Sequence, residues 1–574
     1  MQFNLADLFE HAVDRYPDRE AVVAGPGRRT YTELEERANR MAHHLSSAGV
    51  GPGDHVAIYA YNVIEWVETM LAAYKIRAVC VNVNFRYVAE ELAYLLGNAA
   101  PVALVFQRQF ADRVADVAPK IASLRHLVVI EDGTALEAED DADSGSGRGS
   151  GSGRGQERGQ GQGGAEALGA VPYEDALAAS RPDRDFEPRT GDDHYLLYTG
   201  GTTGMPKGVL WRQEDVIFAL GGGLDLMTGE RASRPEELTE KGATGVLTAL
   251  PIAPLMHGAT QWCLLTNLSK GQRTILVDTF EPDEVWRLVE AERVNMVMIT
   301  GDAMARPLLD TLDALERAGS RPELSSLYAL SSSAALFSPV LKESFMQRLG
   351  VVVTDGVGAS EAGSHGVGIA DKSRVRGDAG VRIRPIDDAL VVDEDLTPLG
   401  VGEIGRLARR GNIPIGYLGD PVKTAQVFRT GPDGARYSVP GDFARLEEDG
   451  TITLLGRGSA TINSGGEKIF PEEVEGVLKT HPDIYDVLVV GVPHERWGQT
   501  VAAVVAPRPG ATLTLADLQR HCRAHLAGYK VPRVLSLVQT VVRTPSGKAD
   551  LAWARQVATR AAQVTESARD LENT

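Results

Sequence analysis

Residues Tyr198 to Val209 read YTGGTTGMPKGV and continue the short apolar run of His194–Leu197. Glycines let backbone N–H groups approach an anion closely, while hydroxyls and an ammonium add donors, so the stretch suits phosphate. It is not a Walker A loop. That motif places Lys directly after Gly and before Ser or Thr, with a helix following at once. Here Pro206 precedes Lys207, Gly208 follows it, and Val209–Trp211 reads as a strand. Pro206 also turns Met205 away from helical backbone.

Outward from this loop, short apolar runs alternate with segments of helical spacing. DHVAIYA, AVCVNVN and VALVF read as strands, with NVIEWVETMLAAYKI and VAEELAYLLGNA as the helices between them. EPDEVWRLVEAERV leads into NMVMIT, and SSLYALSSSAAL precedes a helix and then VVVTDGVG. The alternation predicts an α/β fold of layered subdomains with largely parallel sheets, whose ligands gather at strand C-termini. Beyond Gly456 the elements shorten, which predicts a small α+β domain over 457–574 after a large one over 1–456. Residues 144–164, SGSGRGSGSGRGQERGQGQGG, carry almost no apolar side chains and read as a solvated insert within the first domain.

The 574 residues carry 59 basic and 78 acidic side chains, a net charge of −19. That balance argues against nucleic acid as a partner. Cys80, Cys263 and Cys522 are scattered and lack metal spacing, which fits a reducing cytoplasm. No uncharged run is long enough to span a bilayer, and the N-terminal stretch alternates charge as a surface helix does, so no integral membrane segment or signal peptide is expected.

Taken with the motifs that follow it, the loop resembles that of the adenylate-forming superfamily, which includes acyl-CoA synthetases. PLMHG (Pro254–Gly258) is similar to the segment whose His lines the acyl pocket, here His257. SSSAAL (Ser331–Leu336) resembles the segment lying along adenine. DGVGASE (Asp355–Glu361) resembles the aromatic-Gly-x-Thr-Glu motif, with Val357 where the family has its stacking aromatic and Ser360 for the usual Thr. PGDFARLEEDG supplies Asp442, GRGSATINSGGEKIFPEEVE (Gly456–Glu475) looks like the hinge and first motif of the mobile C-terminal domain, and TPSGK ends on Lys548.

The resemblance implies roles. Gly200, Gly201, Thr202, Thr203, Gly204 and Lys207 would hold the outer phosphates of ATP, and Thr199 with Glu361 would reach Mg²⁺. Ser332, Ser333, Ala334, Asp355, Gly356, Val357, Gly358 and Ser360 would line the nucleotide, and Asp442 would accept from the ribose hydroxyls. Arg457 would stand at the hinge, near Gly458 and Ala460. Gly465, Gly466 and Glu467 would flank the pantetheine of CoA. Lys548 would clamp the carboxylate and the α-phosphate electrostatically. The expected reaction is ATP-dependent ligation of a hydrophobic carboxylic acid to CoA. Runner-up readings are a diazotase that activates nitrite for an aryl amine, or loading of a carrier protein. A non-catalytic nucleotide-binding regulator fits poorly, because Lys207, Glu361, Asp442 and Lys548 are all present. Small-molecule acid, ATP and CoA are the expected partners, with a homodimer through an exposed apolar edge as a further one.

Overall fold

The computed structural model describes residues 2–132, 164–199, 205–370, 381–458, 460–464, 467–494, 497–544 and 547–572. The chain divides into two compact units. One comprises Met1–Asp225, Glu230–Thr279 and Asn412–Ala425; the other comprises Leu226–Gly229, Phe280–Gly411 and Gln426–Thr574. Among the described residues no helix is long and apolar enough to cross a membrane.

In the first unit, a parallel sheet runs in the order Val79–Asn82, His55–Tyr59, Ala103–Gln107, His126–Ile130, Val171–Pro172. Its strands read as unbroken apolar runs because both faces are covered. The helix Ile64–Lys75 explains the absence of a polar stripe in NVIEWVETMLAAYKI: its whole circumference is buried apart from Glu65. Its charges are paired inside the protein. Lys75 Nζ lies 2.6 Å from Glu10 and 2.7 Å from Glu35, and Glu10 is also clamped by Arg189. Without those partners the buried ammonium would cost several kcal/mol, of order ~5. A separate three-stranded antiparallel sheet, Gly416–Tyr417, Lys207–Arg212, His194–Thr199, carries the glycine-rich loop.

In the second unit, Met296–Ile299, Ala329–Ser333 and Val352–Ala359 run parallel, joined by the helices Asp302–Arg317 and Pro339–Leu349. Beyond Val352–Ala359 the pairing turns antiparallel through Gly363–Ile369, Val381–Pro385 and Ile452–Arg457. The change follows from chain length: three residues join Ala359 to Gly363, too few for the crossover a parallel pair requires. The residues after Gly456 build a further sheet, in which Ile484–His494 and Gly498–Pro507 form a long hairpin and Val534–Leu537 adds in parallel. The helices Pro471–Leu478 and Leu515–Arg523 pack on it through Val474, Leu478, Leu518 and Cys522.

Candidate active site

The strands that flank the glycine-rich stretch, His194–Thr199 and Lys207–Arg212, pair antiparallel. Thr199 pairs with Lys207 and Tyr198 with Gly208. Gly208 is required by close approach, since a Cβ there would stand 3.0 Å from Leu196 and from the Tyr198 ring. Gly200, Gly201, Thr202, Thr203 and Gly204 lie outside the described residues. Thr199 is half-buried at the C-terminal end of its strand, as expected for a ligand-facing position. Lys207 extends its ammonium to Asp420 Oδ2 at 2.9 Å, with the Tyr417 ring centre 5.5 Å away.

One buried amide fixes where this strand pair begins. Asn82, 3% exposed, accepts from Tyr198 N–H at 2.8 Å and donates to Tyr198 O at 2.9 Å. Its second N–H reaches Met256 O at 2.6 Å. The same side chain therefore ties the loop's first strand to the segment before His257.

That segment is pinned throughout. Asn62 accepts from Leu255 N–H at 2.6 Å and donates to Val277 O at 2.7 Å. Thr260 Oγ1 donates to Ala253 O, and Gln261 Nε2 to Leu255 O, each at 2.8 Å. Buried backbone polar groups need such partners. His257 follows, half-buried, at the N-cap position of the helix Gly258–Ser269. Gly258 allows this helix to press on the strand pair: a Cβ would stand 2.6 Å from Leu197. Trp262, 4% exposed, meets Tyr195 edge-on at 4.8 Å, and Trp211 is wholly buried. Neither Asn82 nor Asn62 was singled out by sequence reasoning. The available signal was an amide inside the otherwise apolar strand AVCVNVN.

In the second unit, parallel register sets Ser332 beside Asp355 and Ser333 beside Gly356. Ser332 is buried and its Oγ accepts from Gly301 N–H at 3.0 Å. Ala334 follows at φ +66°, a left-handed turn uncommon for a residue with a Cβ. Asp355 turns to Lys342 and forms a buried ion pair with it. Burial pushes its carboxyl above the usual range while Lys342 opposes the shift. Val357 is 9% exposed and packs with Ile383, Val391, Leu407, Ala444 and Ile452. A β-branched side chain that fills this apolar cluster belongs to the packing of the sheet.

Gly358 lets the next turn close, since a Cβ would stand 2.6 Å from Gly363 O. Ser360 and Glu361 occupy that turn, both half-buried. Two further residues absent from the sequence expectations hold it. Ser438 Oγ donates to Glu361 O at 2.5 Å, and the wholly buried Arg409 donates from Nη1 to Ala362 O and Ser364 O, each at 2.9 Å.

His365 lies against this arginine and is 1% exposed. Burial, reinforced by the Arg409 charge, lowers its pKa from 6.5 to about 3. The sign follows directly. The unfolded chain takes up a proton below pH 6.5 that the folded chain refuses, so stability is full above 6.5 and declines as pH falls towards 3. Between pH 7 and pH 5 this one residue should remove about 2 kcal/mol. His365→Gln should reduce the pH 7-to-5 loss by that amount in urea unfolding; an unchanged loss would refute the assignment.

The remaining expected residues lie along the same unit. Asp442 is half-buried and opens the strand Asp442–Leu446, paired in register with Arg457. Glu467 is exposed at the start of Glu467–Ile469, opposite Ser464, while Gly465 and Gly466 lie outside the described residues. Lys548 is exposed and its backbone is closed into a small loop. Its N–H donates to Thr544 Oγ1 at 3.1 Å, and Thr544 N–H donates to Lys548 O at 2.8 Å. Its neighbour Gly547, at φ +74°, packs where a Cβ would stand 3.1 Å from Thr300 O.

Compared with known proteins, residues 9–418 match the model of the AMP-binding enzyme family, and residues 473–548 match that of the AMP-binding enzyme C-terminal domain. The chain belongs to the AMP-binding enzyme family. It is 48% identical over 560 residues to a 3-oxocholest-4-en-26-oate–CoA ligase of Rhodococcus rhodochrous, covering 97% of this chain and 96% of the relative. A medium/long-chain-fatty-acid–CoA/3-oxocholest-4-en-26-oate–CoA ligase of Mycolicibacterium smegmatis is 47% identical over 561 residues, 97% of each chain. The fold agrees with solved structures. The anthranilate CoA ligase AuaEII in complex with anthranoyl-AMP superposes with a TM-score of 0.79 at 20% identity, covering 98% of each chain. ATP-bound MatB from Rhodopseudomonas palustris gives 0.77 at 24% identity, covering 96% of this AMP-binding enzyme and 99% of MatB. The resemblance to acyl-CoA synthetases and the two-part α/β architecture are thereby both borne out.

Proposed function

We propose that this AMP-binding enzyme adenylates a hydrophobic carboxylic acid with release of pyrophosphate and then transfers the acyl group to CoA. The acid is of the fatty or steroid side-chain class. The observation that supports this most is the likeness, along nearly the whole chain, to CoA ligases named for those two classes.

In the first step a carboxylate oxygen bonds to the α-phosphorus and the bond to pyrophosphate breaks. Two anions meet and negative charge spreads over the α-phosphate, so oriented donors stabilise the transition state most. Lys207 and the loop after Thr199 hold the outer phosphates, Asp442 the ribose, and Ser332–Ala334 the adenine edge. Lys548 spans the carboxylate and the α-phosphate. One hydroxyl, Thr199, and one carboxylate, Glu361, are hard oxygen donors that suit Mg²⁺, an ion held by one or two carboxylates together with substrate phosphates. When bound, Mg²⁺ neutralises phosphate oxygens. In the second step the sulfur of CoA, having given its proton to solvent, attacks the acyl carbon and AMP leaves. His257 lines the acyl side, and Glu467 lies on the strand that meets pantetheine. The segment from Arg457 onward acts as the mobile domain, with its joint at Gly458–Ala460, and presents different faces in the two steps. A cytoplasmic site belongs to the same reading and is supported by three buried free cysteines. So does a homodimer, for which the exposed Tyr328, Val352 and Ile369 offer an apolar edge.

The test is product analysis with ATP, Mg²⁺ and a panel of acids, with and without CoA. AMP, pyrophosphate and acyl-CoA formed from a long-chain or steroid acid are expected. Turnover only with nitrite and an aryl amine, or only onto a carrier protein, would replace the reading, and ADP with orthophosphate would end it.

A further inference from the structure

Lys207 and Asp420 form an ion pair whose two members differ in freedom. The two side chains are about equally exposed, 34% for Lys207 and 36% for Asp420, but the lysine head sits on a flexible four-carbon stem whereas the aspartate is held close to its backbone just after the strand Gly416–Tyr417. Asp420 Oδ1 accepts from Lys423 N–H at 2.9 Å, and Asp420 O accepts from Thr424 N–H at 3.0 Å and from Thr424 Oγ1 at 2.7 Å. Thr424 Oγ1 in turn accepts from Tyr417 N–H at 2.9 Å. Gly419, at φ +68°, gives the chain the left-handed step that brings Asp420 round. Strand pairing ties this segment to the strand that Lys207 begins: Tyr417 pairs with Val209, and Leu418 N–H donates to Gly208 O at 2.8 Å. The Lys423 amide and the Lys207 ammonium hold the Asp420 carboxyl below the usual carboxylate range, so it is charged at neutral pH.

A carboxylate at 2.9 Å makes the same charge-assisted bond to an ammonium that a phosphate oxygen makes. Only the lysine can swing between the two. We propose that Asp420 is a positioning residue that trades the Lys207 ammonium with the outer phosphates of ATP, so that departing pyrophosphate leaves behind a cation with an anion to return to. This rests on the reading that Lys207 holds those phosphates. The exchange weakens nucleotide and pyrophosphate binding together and thereby assists product release. The Tyr417 ring centre, 5.5 Å from the ammonium, flanks it in the paired position.

Asp420→Asn is the discriminating variant, because it keeps an oxygen for the Lys423 amide and removes only the charge. Exposed ion pairs are weak, so tightening by about two- to fivefold is expected in the ATP dissociation constant measured by calorimetry without acid. KM for ATP and the inhibition constant of pyrophosphate should fall by the same factor, with the thermal midpoint unchanged. The gap should narrow in ~1 M salt, where the screening length of about 3 Å is comparable to the separation of the pair. Unchanged or weaker ATP binding in Asp420→Asn overturns the exchange. Asp420→Ser, which also retains a cap oxygen, must show the same tightening, or the effect is not one of charge. Lys207→Ala separates the two levels. If it leaves ATP affinity untouched, the phosphate role of Lys207 falls; if it weakens ATP while Asp420→Asn does nothing, only the exchange falls.

Discussion

Lys548→Ala should lower adenylate formation by about 10²–10³-fold, the usual cost of losing a donor aimed at developing charge. Thioester formation from supplied acyl-adenylate and CoA should remain within about twofold, because an interaction made only in the first transition state does not touch the second. The local structure makes this a clean experiment. Lys548 is exposed, and what shapes its turn is backbone and Thr544 hydroxyl bonding together with the left-handed Gly547. Removing the side chain leaves all of these in place. The two half-reactions are followed separately, by pyrophosphate release and by consumption of free CoA thiol. Equal loss in both would mean that one face of the C-terminal segment serves both steps.

Lys479→Met should destabilise the protein by about 3–5 kcal/mol, the cost of stripping one partner from a buried ion pair. Lys479 Nζ lies 2.9 Å from Asp302 Oδ2, with side chains 2% and 5% exposed. Asp302 would keep the neutral bond from Ser338 N–H to Oδ1, 2.7 Å long, and the more distant charge of Arg543. Glu475 would also lose a neighbour. Burial already pushes its carboxyl upward, with Lys479 the main opposing charge. Adding Asp302→Asn should restore the part of the loss that comes from Asp302, since the amide oxygen still accepts from Ser338 and no unpaired charge remains at that position. Urea unfolding of the single and double variants measures both numbers. A single-variant loss below about 1 kcal/mol would show that water reaches the pair and that it behaves as a surface bridge.

Much of this architecture is legible in the chain because it is local. The apolar runs DHVAIYA and VALVF sit between helical spacings, and Pro206 with Gly208 rules out a P-loop before any coordinates are considered. The antiparallel half of the second unit was less visible: Gly363–Ile369, GSHGVGI, is interrupted by three glycines, which weaken its intrinsic strand preference. The supports of the site were not visible at all. Lys207 and Asp420 are 213 positions apart, and Asn82 and Met256 are 174 apart. A lone Asp before Pro421 reads as a helix cap, which it also is, and nothing in the string reveals its second partner. Arg409 is still harder to anticipate, because an arginine in GRLARRG is expected at the surface and this one is enclosed.

Asn62 and Asn82 bear no charge at any pH in which proteins survive, and an amide bond within the interior is indifferent to dissolved ions. The two segments they suspend, one ending at Tyr198 and the other at Met256, should therefore keep their spacing from mildly acidic to mildly alkaline buffer and from dilute to concentrated electrolyte. Whatever sensitivity to acidity or electrolyte this enzyme displays must then originate in its ionised groups and its reactants, which makes such titrations a direct report on them.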